Sequence, residues 1–169
     1  LPGFDSERLL ADTRRICETE VAFWHRRGKP PFQRYVFLLQ ARDEGYGGLE
    51  HRDSTALVCS RRDLPRQDAS GERSDGEVGL LGLISHEYFH AWSVKRLRPA
   101  EHLQLDLQRE QPSRLLWFFE GFTAYYDDLL LCRAGLIEPA RYLRLLARSI
   151  NTLRGTPGRL AQSLAQASY

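Results

Sequence analysis

The stretch His86-Glu87-Tyr88-Phe89-His90 decides how the rest of this chain is interpreted. It lies inside residues 77–96, which we predict to be one helix, with Ser74 or Asp75 as its N-terminal cap and Pro99 as its stop. Positions four residues apart share a face of a helix, so the two histidines point to the same side.

Two imidazoles on one helix face can bind a single metal ion. Zinc accepts neutral imidazole, and a catalytic zinc site keeps one of its four positions for water. Glu87 lies beside the first histidine, where its carboxylate can take a proton from that water. We therefore predict one Zn²⁺ per chain, bound by His86 and His90, with Glu87 as the general base. A helix with two packing or surface histidines is the alternative for the motif by itself.

A third ligand is predicted in Trp117-Phe-Phe-Glu-Gly-Phe-Thr-Ala-Tyr-Tyr-Asp-Asp128. Glu120 lies there among aromatic residues, where a carboxylate is costly to bury unless it is paired or bound to a metal. Asp127 follows two helical turns later on nearly the same face, and we predict that it accepts a hydrogen bond from a ligand histidine. A solvated polar face is the alternative for Asp127 and Asp128.

Length and charge limit the classes of protein that remain. The chain has 169 residues, which fits one domain with a sizeable core, and we predict a single domain over 1–169. Its 24 basic residues nearly match its 22 acidic ones, for a formal net charge of +2. That balance argues against nucleic acid or an acidic membrane as the partner. No apolar run reaches the roughly 18 residues that a membrane span needs.

The three cysteines, Cys17, Cys59 and Cys132, are far apart and form no CxxC pair. We predict that they pack in the core as free thiols, which favours a reducing compartment, the cytoplasm. Residues 1–5 lack the features of a signal peptide, and the chain contains no Met. We interpret it as an internal piece of a longer protein.

The predicted fold class is α+β, with a small antiparallel or mixed sheet beside a mainly helical part and the site in the cleft between them. The strands are predicted at 34–40 and 55–59, antiparallel to each other, with a turn at 45–48 and a long loop at 61–76. Further helices are predicted at 5–26, 112–132 and 139–155, with a short one in 156–169.

Three blocks of this sequence resemble the M61 glycyl aminopeptidase family. They are residues 86–99, residues 117–128, and Gly47-Gly-Leu-Glu-His-Arg-Asp-Ser-Thr55. The resemblance implies a thermolysin-like zincin of the gluzincin type, in which the helix after the HExxH helix supplies a glutamate ligand. Glu120 is that glutamate here.

The resemblance also implies a site for the substrate's amine. The related M1 aminopeptidases use a Gly-x-Met-Glu-Asn strand whose glutamate binds the free α-amine, and residues 48–51 are similar to it. Glu50 is then the candidate amine anchor, and Gly47 and Gly48 would let an extended peptide approach the strand. An ordinary exposed acid on an edge strand is the alternative for Glu50.

Two departures from the family pattern matter. The family's N-terminal β-domain and C-terminal PDZ-like domain have no counterpart in these residues. Related gluzincins also stabilise the oxyanion with a Tyr or His downstream of the glutamate ligand, and we expect that group beyond Tyr169. The tyrosines between, Tyr125, Tyr126 and Tyr142, are predicted to pack. The isolated chain would then bind zinc but be catalytically weak.

The predicted function is that of a zinc aminopeptidase, which removes small N-terminal residues (Gly or Ala) from peptides with a free N-terminus. Glu87 would activate the attacking water and return the proton to the leaving amine. A thermolysin-type zinc endopeptidase is the first alternative, distinguished by having no amine to anchor at Glu50. A non-catalytic binding or scaffold protein is the second.

Overall fold

The computed structural model describes residues 2–26, 28–69, 71–103, 106 and 108–168. The helices and strands, in chain order, are α1 (Ser6–His25), β1 (Val36–Arg42), β2 (Gly47–Glu50), β3 (Ser54–Ser60), α2 (Asp75–Phe89), α3 (Leu116–Arg133), α4 (Pro139–Gly155) and α5 (Leu164–Ala167). Short 3-10 turns lie at Arg61–Asp63, Ala100–His102 and Pro157–Leu160. The predicted α+β class, mainly helical with a small mixed sheet, is confirmed.

The three strands form a mixed sheet in the order β1-β3-β2. β1 is parallel to β3, whereas β2 is antiparallel to β3. The predicted antiparallel pairing of the first strand with 55–59 was therefore wrong. The reason is that residues 47–50 are a strand rather than part of a turn. The chain crosses from β1 to the far edge, runs along β2, and returns as β3 between the two.

α2 is the central element of the molecule. Most of its residues are buried, on every face, as expected for a helix that is apolar all round. Its first turn is capped by the Ser74 hydroxyl, which accepts a hydrogen bond from the backbone N–H of Glu77 at 3.0 Å. The main core cluster joins α2 to the sheet, α1 and α3: Ile16, Leu57, Cys59, Leu64, Val78, Leu80, Leu81, Leu83, Ile84, Leu131, Leu136 and Ile137. No helix among the described residues is long and apolar enough to cross a membrane.

α2 ends at Phe89 and not near residue 96 as predicted. After it the chain makes a tight turn in which the N–H of Val94 donates to Leu97 O at 2.9 Å and Val94 adopts a φ of 88°. The Arg96 guanidinium donates to Ala91 O at 2.6 Å and to Asp53 Oδ1 at 2.8 Å, so the turn is held to the chain before β3. His90 therefore sits at the C-terminal cap of α2.

Buried ion pairs fix the start of α2. Arg73, at the end of the loop after β3, contacts both oxygens of Asp12 on α1, at 2.6 and 2.9 Å. It also lies 2.5 Å from Glu77 Oε1, which accepts a second hydrogen bond from Arg8 at 2.6 Å. Paired, hydrogen-bonded carboxylates are the form in which acids are tolerated at such depth.

The C-terminal helices begin and end close to the predicted residues, with one exception. α4 begins at Pro139 and ends at Gly155, as predicted. α3 begins at Leu116, four residues after the predicted start. The short tail helix α5 is present, and Ser168 after it accepts a hydrogen bond from the Trp117 N–H at 2.9 Å, which joins the tail to the start of α3. Tyr169 lies outside the described residues.

The cysteines are free thiols, as predicted. Cys59 is fully buried in the main core and Cys132 is half-buried against it, whereas Cys17 is half-buried against a second cluster formed by Tyr88, Ala91 and Trp92. Burial raises the pKa of Cys17 to about 12, so this thiol stays protonated and unreactive.

Candidate metal centre

Three side chains from two helices converge at the C-terminal end of α2. Glu120 Oε2, on α3, lies 3.4 Å from His86 Nε2 and 3.5 Å from His90 Nε2. The two Nε2 atoms are 3.2 Å apart. The three potential ligand atoms lie within 4.8 Å of one another, which is close enough for all three to bind one ion.

The second nitrogen of each histidine has its own acceptor. His86 Nδ1 lies 3.1 Å from Asp127 Oδ2, and His90 Nδ1 lies 3.0 Å from the main-chain oxygen of Ser93. These acceptors favour a ring proton on Nδ1, which leaves each Nε2 available to bind a metal ion. Two imidazole nitrogens and one carboxylate are a set that zinc accepts with one position left open.

The surrounding acids favour a positive charge at this cluster. Burial acts to lower the pKa of His86, but hydrogen bonds and charges from Asp127 and Glu120 outweigh it and raise that pKa to about 10. Hydrogen bonds from His86 and His90 in turn lower the pKa of Glu120 to about 2. A metal cation supplies the same positive charge while it uses the Nε2 lone pairs, so the residues present fit a metal ion.

Glu87 lies beside the cluster and against the sheet. It is 5% exposed, and its Oε2 has no hydrogen-bond partner among the described residues. Burial raises its pKa, whereas the charges of His86 and His90 act to lower it. A carboxylate that is buried, unpaired and next to a candidate metal site is typical of a group that handles protons.

Gly48 makes room for Glu87. A Cβ atom on Gly48 would overlap the Glu87 carboxylate, so any other residue at this position of β2 would require Glu87 to move. The structure thus adds a reason for this glycine that the sequence analysis missed. The Cβ side of Gly47 is open, and the predicted approach of a peptide to these two glycines stays a prediction.

Glu50 ends β2, the edge strand that packs beside α2. Its Oε1 lies 3.0 Å from Lys95 Nζ, with the two side chains 24% and 28% exposed. Its charge is one of those that raise the pKa of Glu87, which places it within electrostatic reach of that carboxylate. Its predicted contact with a substrate amine stays a prediction.

Several groups around the site were missed at the sequence level. Ser93 contributes a main-chain oxygen, for which no side chain gives a signal. Lys95 is brought to Glu50 by the turn after α2. Glu20 on α1 is buried behind the HExxH helix and bonded to Ser85. The signal for Glu20 was available, since it lies four residues after the buried Ile16 on the same helix face.

Two neighbouring tyrosines of α3 differ in their packing. Tyr126 stacks on Phe89 with ring centroids 5.5 Å apart, and it also contacts Phe23 of α1 at 4.8 Å. This is the packing role predicted for it. Tyr125 lies on the outer side of α3 and is 47% exposed.

Comparison with known proteins decides the family. The sequence profile of the M61 glycyl aminopeptidases matches residues 79–169, which is more than half of the chain. The chain belongs to the M61 glycyl aminopeptidase family. The matched region of this M61 chain includes the HExxH motif and Glu120, whereas β2 and Glu50 lie before it.

A solved structure extends the likeness over the whole M61 chain. An aminopeptidase N family protein from Idiomarina loihiensis superposes with a TM-score of 0.92 and is 41% identical. The match covers 98% of this chain but 28% of that protein, so the present residues correspond to about a quarter of the relative. No protein of curated function matches the chain.

Proposed function

We propose that this chain is the catalytic core of a zinc aminopeptidase with the thermolysin-like arrangement of a gluzincin. His86, His90 and Glu120 would hold the ion, and Glu87 would act as the general base. The observation that carries the proposal is the convergence of two Nε2 atoms and one carboxylate oxygen, with each Nδ1 occupied by a separate acceptor. Family membership adds weight to peptide hydrolysis as the reaction.

The protein groups divide the chemistry between them. Zinc, when bound, supplies Lewis acidity that polarises a carbonyl and lowers the pKa of water. Glu87 accepts the proton of the attacking water and delivers it to the leaving amine. Its burial raises its pKa above the usual value, which favours proton transfer in both directions over that of an exposed carboxylate. Asp127 and Ser93 hold the imidazoles in the required orientation and tautomer.

The edge strand supports an aminopeptidase in particular. An extended peptide can add beside β2 through main-chain hydrogen bonds, which would bring its free amine toward Glu50 at the end of the strand. Glu50 has Lys95 as its ion-pair partner, and a substrate ammonium can take the place of that cation. We propose small N-terminal residues, Gly or Ala, as the preferred substrates. The three free thiols favour the cytoplasm as the compartment.

Replacing Glu50 by Gln separates the aminopeptidase from the endopeptidase alternative. The substrates would be Ala-containing peptides with free or acetylated N-termini, and the enzyme the longest form of the protein that shows activity. We expect the variant to lose much more activity on free-amine peptides than on acetylated ones. Equal loss on both would favour an endopeptidase, and no hydrolysis by the zinc-loaded wild type would favour a scaffold.

A further inference from the structure

Glu20 is a fully buried acid that the proposed mechanism does not use. It lies on α1, is 0% exposed, and faces Ser85 of α2. Its Oε1 lies 3.0 Å from Ser85 Oγ, and its Oε2 has no hydrogen-bond partner among the described residues. Within that part of the chain no lysine or arginine forms an ion pair with it. A bare carboxylate in such a place is strongly disfavoured.

Ser85 shows where the proton of Glu20 goes. The Ser85 hydroxyl lies 3.0 Å from Glu20 Oε1 and 3.0 Å from the main-chain oxygen of Asp127. It has one proton, so it cannot donate to both. Both contacts are hydrogen bonds only if Glu20 carries a proton and donates it to Ser85 Oγ, while Ser85 donates to Asp127.

The surroundings of Glu20 support the neutral form. The titratable groups within reach of its charge are Cys17 on its own helix, His86 and Tyr88 on α2, Asp127 on α3, and Tyr35 before β1. Burial is the largest influence and raises the pKa of Glu20 well above its usual value. In decreasing size, the contact with Ser85 then lowers this pKa, the charge of Asp127 raises it, and the charge of His86 lowers it.

We propose that Glu20 is a protonated positioning residue of the metal centre. Its carboxyl donates to Ser85, and Ser85 donates to the main chain of Asp127, the residue whose carboxylate faces His86 Nδ1. The two hydrogen bonds thereby join α1, α2 and α3 behind His86, a proposed zinc ligand. Because Glu20 is neutral, they place no second negative charge beside Asp127. The role of Asp127 rests on the proposed function, whereas the protonation state of Glu20 does not.

Infrared spectroscopy tests the protonation state directly. We expect the difference spectrum between wild type and Glu20→Gln at pH 8 to contain the carbonyl band of one protonated carboxylic acid. The difference isolates Glu20 from other acids with raised pKa values. Loss of a carboxylate band instead would overturn the proposal.

Thermal unfolding gives a second readout that needs no metal. When a carboxyl has a higher pKa in the folded than in the unfolded state, the free energy of unfolding of the protein falls as the pH rises above the pKa of the unfolded state. Glutamine keeps a donor for Ser85 without this cost, so the melting temperature of Glu20→Gln should rise relative to wild type between pH 4 and pH 8. A difference that is independent of pH, or a variant less stable at pH 8, would contradict a neutral Glu20.

The positioning role is tested by comparing Glu20→Gln with Glu20→Leu, which has no donor. We expect Glu20→Gln to keep the wild-type zinc affinity and Glu20→Leu to lose about tenfold, in the range found for groups behind metal ligands. Equal zinc affinities of wild type and both variants would refute positioning. If the wild type bound no zinc, the proposed function would fail, while the infrared and unfolding results would still decide the state of Glu20.

Discussion

His86 and Glu50 represent two ends of the proposed cleft that are built differently. At the metal end, formed by His86, Glu87, His90 and Glu120, each imidazole is held on both nitrogens and lies on or beside a buried helix. At the strand end, formed by β2 and Lys95, Glu50 has one ion pair between partly exposed side chains. The imidazoles of the first arrangement are oriented by hydrogen bonds before any ligand binds, whereas the second depends on a single, partly exposed ion pair. This is the division expected if one end performs chemistry and the other recognises a variable substrate.

The largest expected effect comes from removing the base at the metal end. Glu87→Gln keeps the size of the side chain but cannot accept a proton, so peptide hydrolysis should fall by about 10²–10⁴-fold. Zinc content should stay the same, because Glu87 is not a predicted ligand. Steady-state kinetics and metal analysis on the active form of the protein would check this, with the exposed Glu18→Gln as the control. Retention of more than about a tenth of the activity would exclude Glu87 as the base.

Asp127→Asn tests whether the metal end depends on its outer hydrogen bonds. The amide is a weaker acceptor than the carboxylate for the Nδ1 proton of His86, so zinc affinity should fall by about 10–100-fold in a chelator competition. Asp128→Asn is the matched control, since Asp128 is the next residue and no side-chain partner for it is seen among the described residues. Equal zinc affinities of the two variants would show that the hydrogen bond from His86 to Asp127 does not support zinc binding.

Gly48→Ala places a methyl group where the metal end meets the strand end. Because the new Cβ would overlap Glu87, we expect a loss of about 1–3 kcal/mol in the free energy of unfolding. Gly79→Ala in α2, where a Cβ meets open space, should instead gain about 0.5–1 kcal/mol. Urea denaturation of both variants measures the contrast, and similar values for the two would show that Glu87 has another position in solution.

Lys95→Met should have the smallest effect and acts on the strand end alone. The partly exposed ion pair contributes less than about 1 kcal/mol, so stability should hardly change. With its competitor removed, Glu50 should bind a substrate amine more readily and KM for free-amine peptides should fall a few-fold at constant kcat. Lys29→Met, at an exposed position, is the control. An increase in KM would indicate that Lys95 itself assists substrate binding.

The parts of this molecule that were predictable are those set by short-range geometry. The spacing of His86 and His90 places both on one helix face, and Pro139 and Gly155 mark the ends of α4. The pairing of strands that are distant in sequence was harder to predict. The parallel arrangement of β1 and β3 depends on β2, a four-residue strand whose two glycines also suit a turn.

The end of α2 was missed for a similar reason. Arg96 holds the turn through contacts with residues far away in sequence, and these override the helical pattern. The hydrogen bond from His90 to Ser93 arises from that turn and involves only main-chain oxygen. Sequence patterns carry no signal for such an acceptor. Buried partners such as Ser85 with Glu20 likewise become visible only when three helices are assembled.

The zinc content of the wild-type chain and of His86→Ala, after dialysis against trace zinc, shows whether His86, His90 and Glu120 bind a metal ion. We expect close to one zinc per wild-type chain and almost none in the variant. Equal zinc in both would mean that His86 is not a ligand. A wild-type chain that stays free of zinc, also within a longer stretch of the protein, would contradict the proposed metal centre itself.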